Sequence, residues 1–437
     1  MIHIKQENNM QKNSQIITLI LLLIFLYSQA FCQLSIENFV KQETKPIKEI
    51  NPDSLDFDDL QTIGDAVGDA RVVFLGEQSH GDAATFMAKA RIIKFLHEKK
   101  GFNVIAFESD FFSLVTGWEM VKNGSQNIDS LLGGNIYGAW TLCSPLKNFF
   151  FDYIPNCLKN GTPLIISGFD NQLIFANSYI HLFNDLDSVL KHFDLDITKE
   201  LNYDTETLPL IKSIYNQVNG DGDPSLFDKR TVLLKRMREQ LLSKVNNDDF
   251  WIMTLDNLVS FNLKAKYRKT DYFKSGNYRD IQMAKNLTWL YTRKFSNNKM
   301  IVWAHNYHIS KYNGHFQEGF TNLARTMGNE FTSDSLMNKI SYIIGFTSAE
   351  GEFGTVHSKK NKVPKPQKDG FENWINGNYS FSFTDFKKYN SAHEKEKVMF
   401  FMNGSVKTPN LHTPSYSEWN KIFDGVFFIR KMTPCAN

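Results

Sequence analysis

The segment that decides the fold reads Arg-Val-Val-Phe-Leu-Gly-Glu-Gln-Ser-His-Gly, from Arg71 to Gly81. Its first part, Val72–Leu75, is a short apolar run with β-branched residues, which predicts a buried strand. After the segment, apolar residues recur at helical spacing over residues 83–96. The pattern therefore predicts a strand, a turn that carries Glu77 and His80, and then a helix.

A carboxylate and an imidazole in such a turn are well placed for acid–base chemistry. In open parallel α/β sheets, ligands bind in the crevice at the carboxyl ends of the strands. A carboxylate can orient an imidazole and stabilise its protonated form, so His80 is a candidate general base. The structural alternative is that Glu77 caps the helix and that His80 is an ordinary loop residue.

Further segments predict the rest of the architecture. Buried strands are predicted at residues 102–107, 163–167, 299–304 and 340–346, with further candidates at 398–402 and 425–429. Strands that alternate with helices indicate an α/β fold with a mainly parallel sheet core. Between residues 171 and 298 the apolar spacing is mainly helical, which predicts a helical insertion over the sheet.

The N-terminus is typical of a secretory signal peptide. Lysines precede an apolar run over residues 16–27, and small residues such as Ala30 follow it. The run is shorter than the roughly 20 residues of a membrane-spanning helix, so we expect an exported protein, periplasmic or secreted, without a stable membrane span. A lipoprotein would be acylated at Cys32, but the bulky Phe31 precedes that position, where a small residue is expected.

These patterns divide the chain into five predicted parts. They are a signal peptide (1–32), an N-terminal arm (33–60) in which residues 33–51 are expected to have little regular structure, the first part of the α/β catalytic core (61–170), the helical insertion (171–298), and the second part of the core with the C-terminal region (299–437).

Composition and cysteine content narrow the function classes. Hydrophobic residues make up 42% of the chain, which is enough for a packed core. The 49 basic and 47 acidic residues nearly balance, and no basic face suggests a nucleic-acid partner. Beyond the signal peptide, Cys143 and Cys157 could pair in an oxidising compartment, with Cys435 left over. Three scattered cysteines do not indicate a zinc site.

Three predicted strand ends carry candidate catalytic groups. Glu77 and His80 follow the first strand, Glu108 follows the second, and His305 and His308 follow the strand at 299–304. In a parallel sheet these ends meet at one edge, so we expect the side chains to converge on one crevice. Two carboxylates and three imidazoles there suit general acid–base activation of a bound water.

Two other chemistries remain as alternatives. A nucleophile elbow requires Gly-x-Ser-x-Gly, and Gly76 is one residue too far from Ser79, although Ser79 could still act beside His80. The Glu-x-x-His and His-x-x-His spacings resemble metal-ligand pairs, but no second Glu-x-x-His and no His-Glu-x-x-His is present. For His305 and His308, the structural alternative is that one caps the next helix and the other packs beneath it.

Several motifs, taken in order, resemble the erythromycin esterase family. They are Gly76-Glu77-x-x-His80-Gly81, Gly101-Phe102 leading to Glu108, Gly168-x-Asp170-x-Gln172, Arg279-Asp280-x-x-Met283-Ala284-x-Asn286, and Trp303-Ala304-His305-Asn306-x-His308. The resemblance implies an α/β core with a helical part. It also implies hydrolysis of a macrolide lactone or a related small-molecule ester by water activated at the first histidine, with no cofactor and no essential metal.

The resemblance also implies roles for individual residues. His80 would be the base, Glu77 and Glu108 would orient the base or the water, and His305 and His308 would complete the site and could stabilise the developing oxyanion.

Four further positions are candidates for substrate binding. They include the basic residue expected in the helix after the first motif, which is either Lys89 or Arg91, together with Asp170 and Asn306. A metal-dependent hydrolase with the same cluster, and a ligand-binding protein of the same fold without enzymatic activity, are the alternative functions.

Overall fold

Val72–Leu75 forms a fully buried strand near the middle of a large sheet, as its unbroken apolar sequence predicts. The computed structural model describes residues 35–221, 223–311, 324–404 and 412–436. The predicted signal peptide lies outside these residues. The described strands, in chain order, are β1 Lys45–Ile47, β2 Val72–Leu75, β3 Phe102–Asp110, β4 Ile165–Asp170, β5 Lys299–Trp303, β6 Ser341–Phe353, β7 Asn361–Lys362, β8 Phe381–Asp385, β9 Phe400–Met402, β10 Ser415–Ser417 and β11 Gly425–Met432.

The described helices fill most of the connections between these strands. In chain order they are α1 Ile36–Glu43, α2 Gln61–Val67, α3 Ala83–Lys100, α4 Phe111–Lys122, α5 Ile128–Asn135, α6 Gly138–Thr141, α7 Ile154–Lys159, α8 Phe183–His192, α9 Leu208–Lys212, α10 Pro224–Leu242, α11 Phe250–Tyr267, α12 Tyr272–Trp289, α13 Asn306–Ile309, α14 Met327–Thr332, α15 Ser335–Lys339, α16 Phe371–Trp374, α17 Lys387–Ala392 and α18 Trp419–Ile422.

Within the described residues, the main sheet has nine strands. Eight of them follow the order β1-β8-β11-β6-β2-β5-β3-β4, and β7 pairs with β6 outside this order. All neighbours from β11 to β4 are parallel, whereas β8 runs antiparallel to both β11 and β1. The predicted α/β fold with a mainly parallel core and a helical part is therefore confirmed.

Helices cover both faces of the sheet, so the central strands are apolar on both sides. Val73 and Leu75 of β2 pack into a cluster that includes helix α3, whereas Val72 and Phe74 pack into a second cluster that includes α12. A third apolar cluster joins α8, α10 and α11. Between β4 and β5 the described residues form helices and no strand, and Arg279 of α12 contacts Asp170 at the carboxyl end of β4. In the described part of the chain, no helix is both long and apolar enough to cross a membrane.

The expectation that residues 33–51 have little regular structure is wrong for the described part of that segment. Ser35 caps helix α1, whose Ile36, Phe39 and Val40 are buried. The short strand β1 then pairs with β8 at the edge of the main sheet. An apolar stripe on a polar helix is enough to fix this segment to the core.

Several strand boundaries also differ from the predictions. Strand β6 continues to Phe353, seven residues beyond its predicted end, because β11 and β7 provide partners there. The predicted strand at 398–402 is β9, which pairs with β10 in a separate sheet. Strands β1 and β8 are not predicted, since both are short and neither is a continuous apolar run.

The disulfide joins Cys143 to Cys435 rather than to Cys157, so the suggested pairing is wrong. Cys157 is buried and is not in a disulfide. The C-terminal segment returns to the core, where the Cys435 N–H donates to the carbonyl oxygens of Gly81 and Gly354. This return places Cys435 beside Cys143, a proximity that the spacing along the chain does not reveal.

Candidate active site

Polar residues follow four neighbouring strands at their carboxyl ends. Glu77 follows β2, His305 follows β5, Glu108 lies in the last part of β3, and Asp170 ends β4. All four residues are buried, with at most 2% of their surface exposed. Because β2, β5, β3 and β4 are adjacent and parallel, the structure brings these side chains to one edge of the sheet.

A cavity of about 430 Å³ opens at this edge. Its size lies within the usual range for small-molecule sites. Glu108 of β3 and residues that follow β2 and β5 line it, together with residues from helices α11, α12 and α13 and from the Gly-rich segment 123–144. The lining includes His80, Glu108, His305 and His308, with Tyr137, Gln172, Lys264, Arg279, Asp280 and Tyr307.

His80 and Glu77 form a hydrogen-bonded pair in the turn after β2. The distance from His80 Nδ1 to Glu77 Oε1 is 2.7 Å, and the His80 side chain is 32% exposed while that of Glu77 is fully buried. A carboxylate accepts, so Nδ1 carries the hydrogen, and Nε2 has no hydrogen-bond partner within the described residues. Burial lowers the pKa of His80, but Glu77 raises it by more, so the pKa lies above its ordinary value.

Glu77 is held by two further donors. Lys89 Nζ lies 2.6 Å from Glu77 Oε2, and the indole N–H of Trp140 donates to Oε1 at 3.0 Å. Burial raises the pKa of Glu77, but Lys89 and His80 lower it by more, so the carboxyl is ionised. Burial lowers the pKa of Lys89 to about 8. Lys89 is therefore the basic residue of helix α3 that belongs to this cluster.

A second ionic cluster centres on Arg279 of helix α12. Its Nη2 donates to Glu108 Oε1 at 2.6 Å and to Asp170 Oδ2 at 2.7 Å, and its Nε donates to Asp170 Oδ1 at 3.0 Å. Glu108 Oε2 accepts the backbone N–H of His305 at 2.9 Å. Burial raises the pKa of Glu108, but its attraction to positive charge, with Arg279 as the permanent cation, and the hydrogen bond from the His305 backbone hold the pKa well below its usual range. Glu108 is therefore ionised, and its two oxygens position the Arg279 side chain and the His305 backbone.

His305 is a neutral imidazole with both nitrogens in use. Its Nδ1 accepts the Tyr307 backbone N–H at 3.0 Å, so it caps helix α13, as the structural alternative proposes. Its Nε2 therefore donates to the Gln78 carbonyl oxygen at 2.8 Å. Burial lowers the pKa of His305 to about 3. Its ring centroid lies 5.6 Å from that of His80, so it forms part of the wall behind the base.

His308 lies between Asp280 and Arg279. Its Nδ1 is 2.7 Å from Asp280 Oδ1, and its Nε2 is 3.0 Å from Arg279 Nη1. The guanidinium can only donate, so Nε2 accepts and the Nδ1–H hydrogen points to Asp280. His308 Nε2 also lies 3.3 Å from Glu108 Oε1, which links this residue to the Arg279 cluster.

Two of the proposed substrate-binding residues lie elsewhere. The Arg91 guanidinium binds the Asp59 carboxylate at 2.6 and 3.0 Å and the backbone oxygens of Glu49 and Asp56. The Asn306 amide donates to the Phe346 carbonyl at 2.8 Å and to that of Gly404 at 2.7 Å. These contacts serve the packing of the chain, and neither Arg91 nor Asn306 lines the cavity.

Asp170 lies behind the cavity rather than in its wall. It is fully buried, and its carboxylate binds Arg279 and the Gln172 side-chain amide. Asp170 therefore supports Arg279 and does not contact the cavity. The Ser79 backbone N–H donates to Asp82 Oδ2 at 2.9 Å, and Ser79 does not line the cavity.

Arg279, Asp280, Tyr137 and Lys264 are cavity residues without a role predicted from the sequence. Arg279 and Asp280 stand in the motif Arg279-Asp280-x-x-Met283-Ala284-x-Asn286, so the sequence does carry a signal for them. The need for a cation between two buried carboxylates, Glu108 and Asp170, would also have pointed to an arginine. Tyr137 lies in the Gly-rich segment, whose sequence gives no regular pattern. Within the described residues, no three His, Cys, Asp or Glu side chains are arranged to hold a metal ion.

Comparison with known proteins agrees with this architecture. A protein of Bacillus subtilis (strain 168) named "Putative hydrolase YbfO" is 23% identical over 346 residues, which span 76% of this chain and 75% of that protein. "Erythromycin esterase type II" of Escherichia coli is 34% identical over 84 residues, which span 19% of this chain and 20% of that protein.

Solved structures share the fold. A Bacillus cereus protein gives a TM-score of 0.69 at 18% identity, covering 92% of this chain and 98% of its own. An erythromycin esterase mutant in its open conformation gives a TM-score of 0.65 at 15% identity, covering 90% and 98% of the two chains. The family model for erythromycin esterase matches residues 97–432. With this match over most of its length, the chain belongs to the erythromycin esterase family.

Proposed function

We propose that this protein hydrolyses carboxylic esters, with macrolide lactones as the first candidates, by means of a water that His80 activates. The observation that carries the proposal is the His80 imidazole. Its Nδ1 is fixed by Glu77 at 2.7 Å, and its Nε2 has no partner within the described residues, in a residue that lines the cavity. This is the geometry of an oriented general base.

The reaction follows from the proton positions. His80 Nε2 takes a proton from water as the water oxygen bonds to the ester carbonyl carbon. The Glu77 carboxylate stabilises the imidazolium that forms. When the bond from that carbon to the alcohol oxygen breaks, the imidazolium returns its proton to the leaving oxygen, and a carboxylic acid and an alcohol result.

The buried cation Lys89 supports this role of Glu77. Without a positive partner, a fully buried carboxyl would be protonated and could not stabilise an imidazolium. Lys89 lies 2.6 Å from Glu77 Oε2, is itself fully buried, and has its ammonium 4.2 Å from the Trp303 ring centroid. Glu77 therefore stays ionised at neutral pH and holds His80 in one tautomer.

The choice of substrate rests on the family and on the names of its relatives. The E. coli relative is named as an erythromycin esterase, so erythromycin is the first compound to test. The protein is incubated with erythromycin and with a panel of smaller lactones and alkyl and aryl esters, and the products are analysed by mass spectrometry. We expect at least one compound to gain the mass of one water. No turnover of any member of the panel would overturn the proposal.

We also propose that the mature protein is exported. The proposal rests on the signal-peptide pattern over residues 1–32 and is supported by the Cys143–Cys435 disulfide, because disulfides persist in oxidising compartments. Cell fractionation followed by N-terminal sequencing tests it. A protein that keeps its N-terminal Met and fractionates with the cytosol would contradict it.

A further inference from the structure

We propose that Tyr137 donates its phenolic hydrogen to the oxyanion that forms on the ester carbonyl. This inference rests on the proposed ester hydrolysis and gives the reaction a second group that contacts the substrate. Attack of water on a carbonyl moves the C=O π electrons onto oxygen, and a preorganised donor at that oxygen is usually the largest contribution to catalysis.

The imidazoles beside His80 are poorly placed for this task. His305 donates its one ring hydrogen to the Gln78 carbonyl oxygen, and the Nδ1–H of His308 points to Asp280. Arg279 donates to Asp170, Glu108 and His308. The two imidazoles that the sequence suggested as oxyanion stabilisers therefore donate to protein acceptors, and so do four of the five N–H hydrogens of Arg279.

Tyr137 lines the same cavity and lies next to the base. Its ring is nearly parallel to that of His80, with an interplanar angle of 7° and 6.4 Å between the centroids. The Tyr137 phenol oxygen accepts a hydrogen bond from Gln172 Nε2 at 3.0 Å. A hydroxyl that accepts one hydrogen bond still has its own hydrogen to donate, and this hydrogen has no acceptor within the described residues.

The position of the phenol oxygen is fixed by a short chain of contacts. Gln172 Nε2 also donates to Asp170 Oδ2 at 2.9 Å, and Gln172 Oε1 accepts from Lys264 Nζ at 2.6 Å. The Asp170 carboxylate can only accept, so it faces the amide nitrogen of Gln172. The Lys264 ammonium can only donate, so it faces the amide oxygen. Tyr137 is therefore an acceptor towards Gln172, and its own hydrogen is available to an acceptor in the cavity.

The phenol keeps its proton throughout the reaction. Burial raises the pKa of Tyr137 above its ordinary value, and the Asp170 carboxylate raises it further. The hydroxyl therefore forms a hydrogen bond to the oxyanion without transferring its proton. When the C=O double bond re-forms and the alcohol oxygen departs, the hydrogen bond weakens, and the proton that water lost passes from His80 to the alcohol.

The test is Tyr137→Phe, which removes one oxygen and keeps the ring that packs against His80. On the first ester that the wild type hydrolyses, we expect kcat to fall about 10²–10³-fold, the usual effect of losing one oxyanion donor, with KM changed little. A phosphonate analogue of that ester should bind more weakly by a comparable factor, because it resembles the tetrahedral intermediate.

Tyr203→Phe is the matched control. Tyr203 is a buried tyrosine outside the cavity, and its hydroxyl donates to Asp187 at 2.8 Å. This variant should keep the wild-type kcat. A Tyr137→Phe enzyme whose kcat stays within threefold of the wild-type value would overturn the role of Tyr137 while ester hydrolysis stands. A wild type that hydrolyses no ester in the panel would overturn both.

Discussion

The Glu77 carboxylate should set the pH at which kcat/KM begins to fall on the acid side. A general base acts only when it is unprotonated, so kcat/KM should fall as the pH drops through the pKa of His80. In the wild type this pKa lies above its ordinary value, because Glu77, helped by Glu108, outweighs the effect of burial. In Glu77→Gln the larger of these two contributions is gone and burial still lowers the pKa, so the acid limb should move to lower pH.

The size of the shift follows from the contact distance. Two unit charges with centres about 4 Å apart interact by about 4 kcal/mol at an effective dielectric constant of about 20, which equals about three pKa units. The His80 side chain is 32% exposed, so water screens part of this interaction. We therefore expect a shift of about 1–2 pKa units to lower pH. We also expect kcat/KM on the plateau to fall about 10²–10⁴-fold, because a neutral amide in place of the carboxylate could stabilise neither the imidazolium nor the reactive tautomer.

The assay is the pH profile of kcat/KM from pH 5 to 9, with an NMR titration of His80 as a readout that does not need turnover. Glu372→Gln is the matched control. Glu372 is a buried glutamate that contacts Thr347 and Asn403 and lies outside the cavity, and burial raises its pKa to about 7. The control should keep the wild-type acid limb. An acid limb that stays in place or moves to higher pH in Glu77→Gln would refute the reasoning.

Three further predictions concern stability and metals. Arg279→Met leaves Glu108 and Asp170 buried without their cation and should destabilise the fold by about 3–5 kcal/mol in urea denaturation; a loss below about 1 kcal/mol would show that the cluster is not what holds this edge together. Cys435→Ser opens a cross-link over 292 residues and should cost about 2–5 kcal/mol. A reductant should then lower the melting temperature of the wild type and leave that of Cys435→Ser unchanged; equal shifts in both would contradict this. Dialysis against a chelator should leave ester turnover unchanged, whereas lost turnover that an added metal restores would favour the metal-dependent alternative.

The sequence predicts the parts of the fold that depend on continuous apolar runs. The bounds of β2 match the prediction because all four residues of Val72–Leu75 are buried, so no polar residue interrupts the signal. The short strands β1, at the edge of the sheet, and β8, next to it, do not carry such a run. They form because neighbouring strands offer hydrogen-bond partners, and this information is spread over distant parts of the chain.

The candidate site, like the fold, is only partly predictable from the sequence. Residues at strand ends, such as Glu77 and His305, could be found from the sequence because a parallel sheet brings its carboxyl ends together. The partners that control their charge come from helices far along the chain. Arg279 lies 171 residues from the Glu108 carboxylate that it binds, and no local pattern records that contact. The disulfide is a similar case, because spacing alone does not determine which cysteines pair.

The most direct test of the account compares single-turnover hydrolysis by the wild type and by His80→Gln, with the first ester that the wild type converts. The comparison isolates the imidazole that is held by Glu77 and open to the cavity. If His80 activates the attacking water, the rate constant of the chemical step should fall about 10²–10⁴-fold in a variant that still binds the ester. A His80→Gln enzyme that hydrolyses the ester within threefold of the wild-type rate would contradict the account.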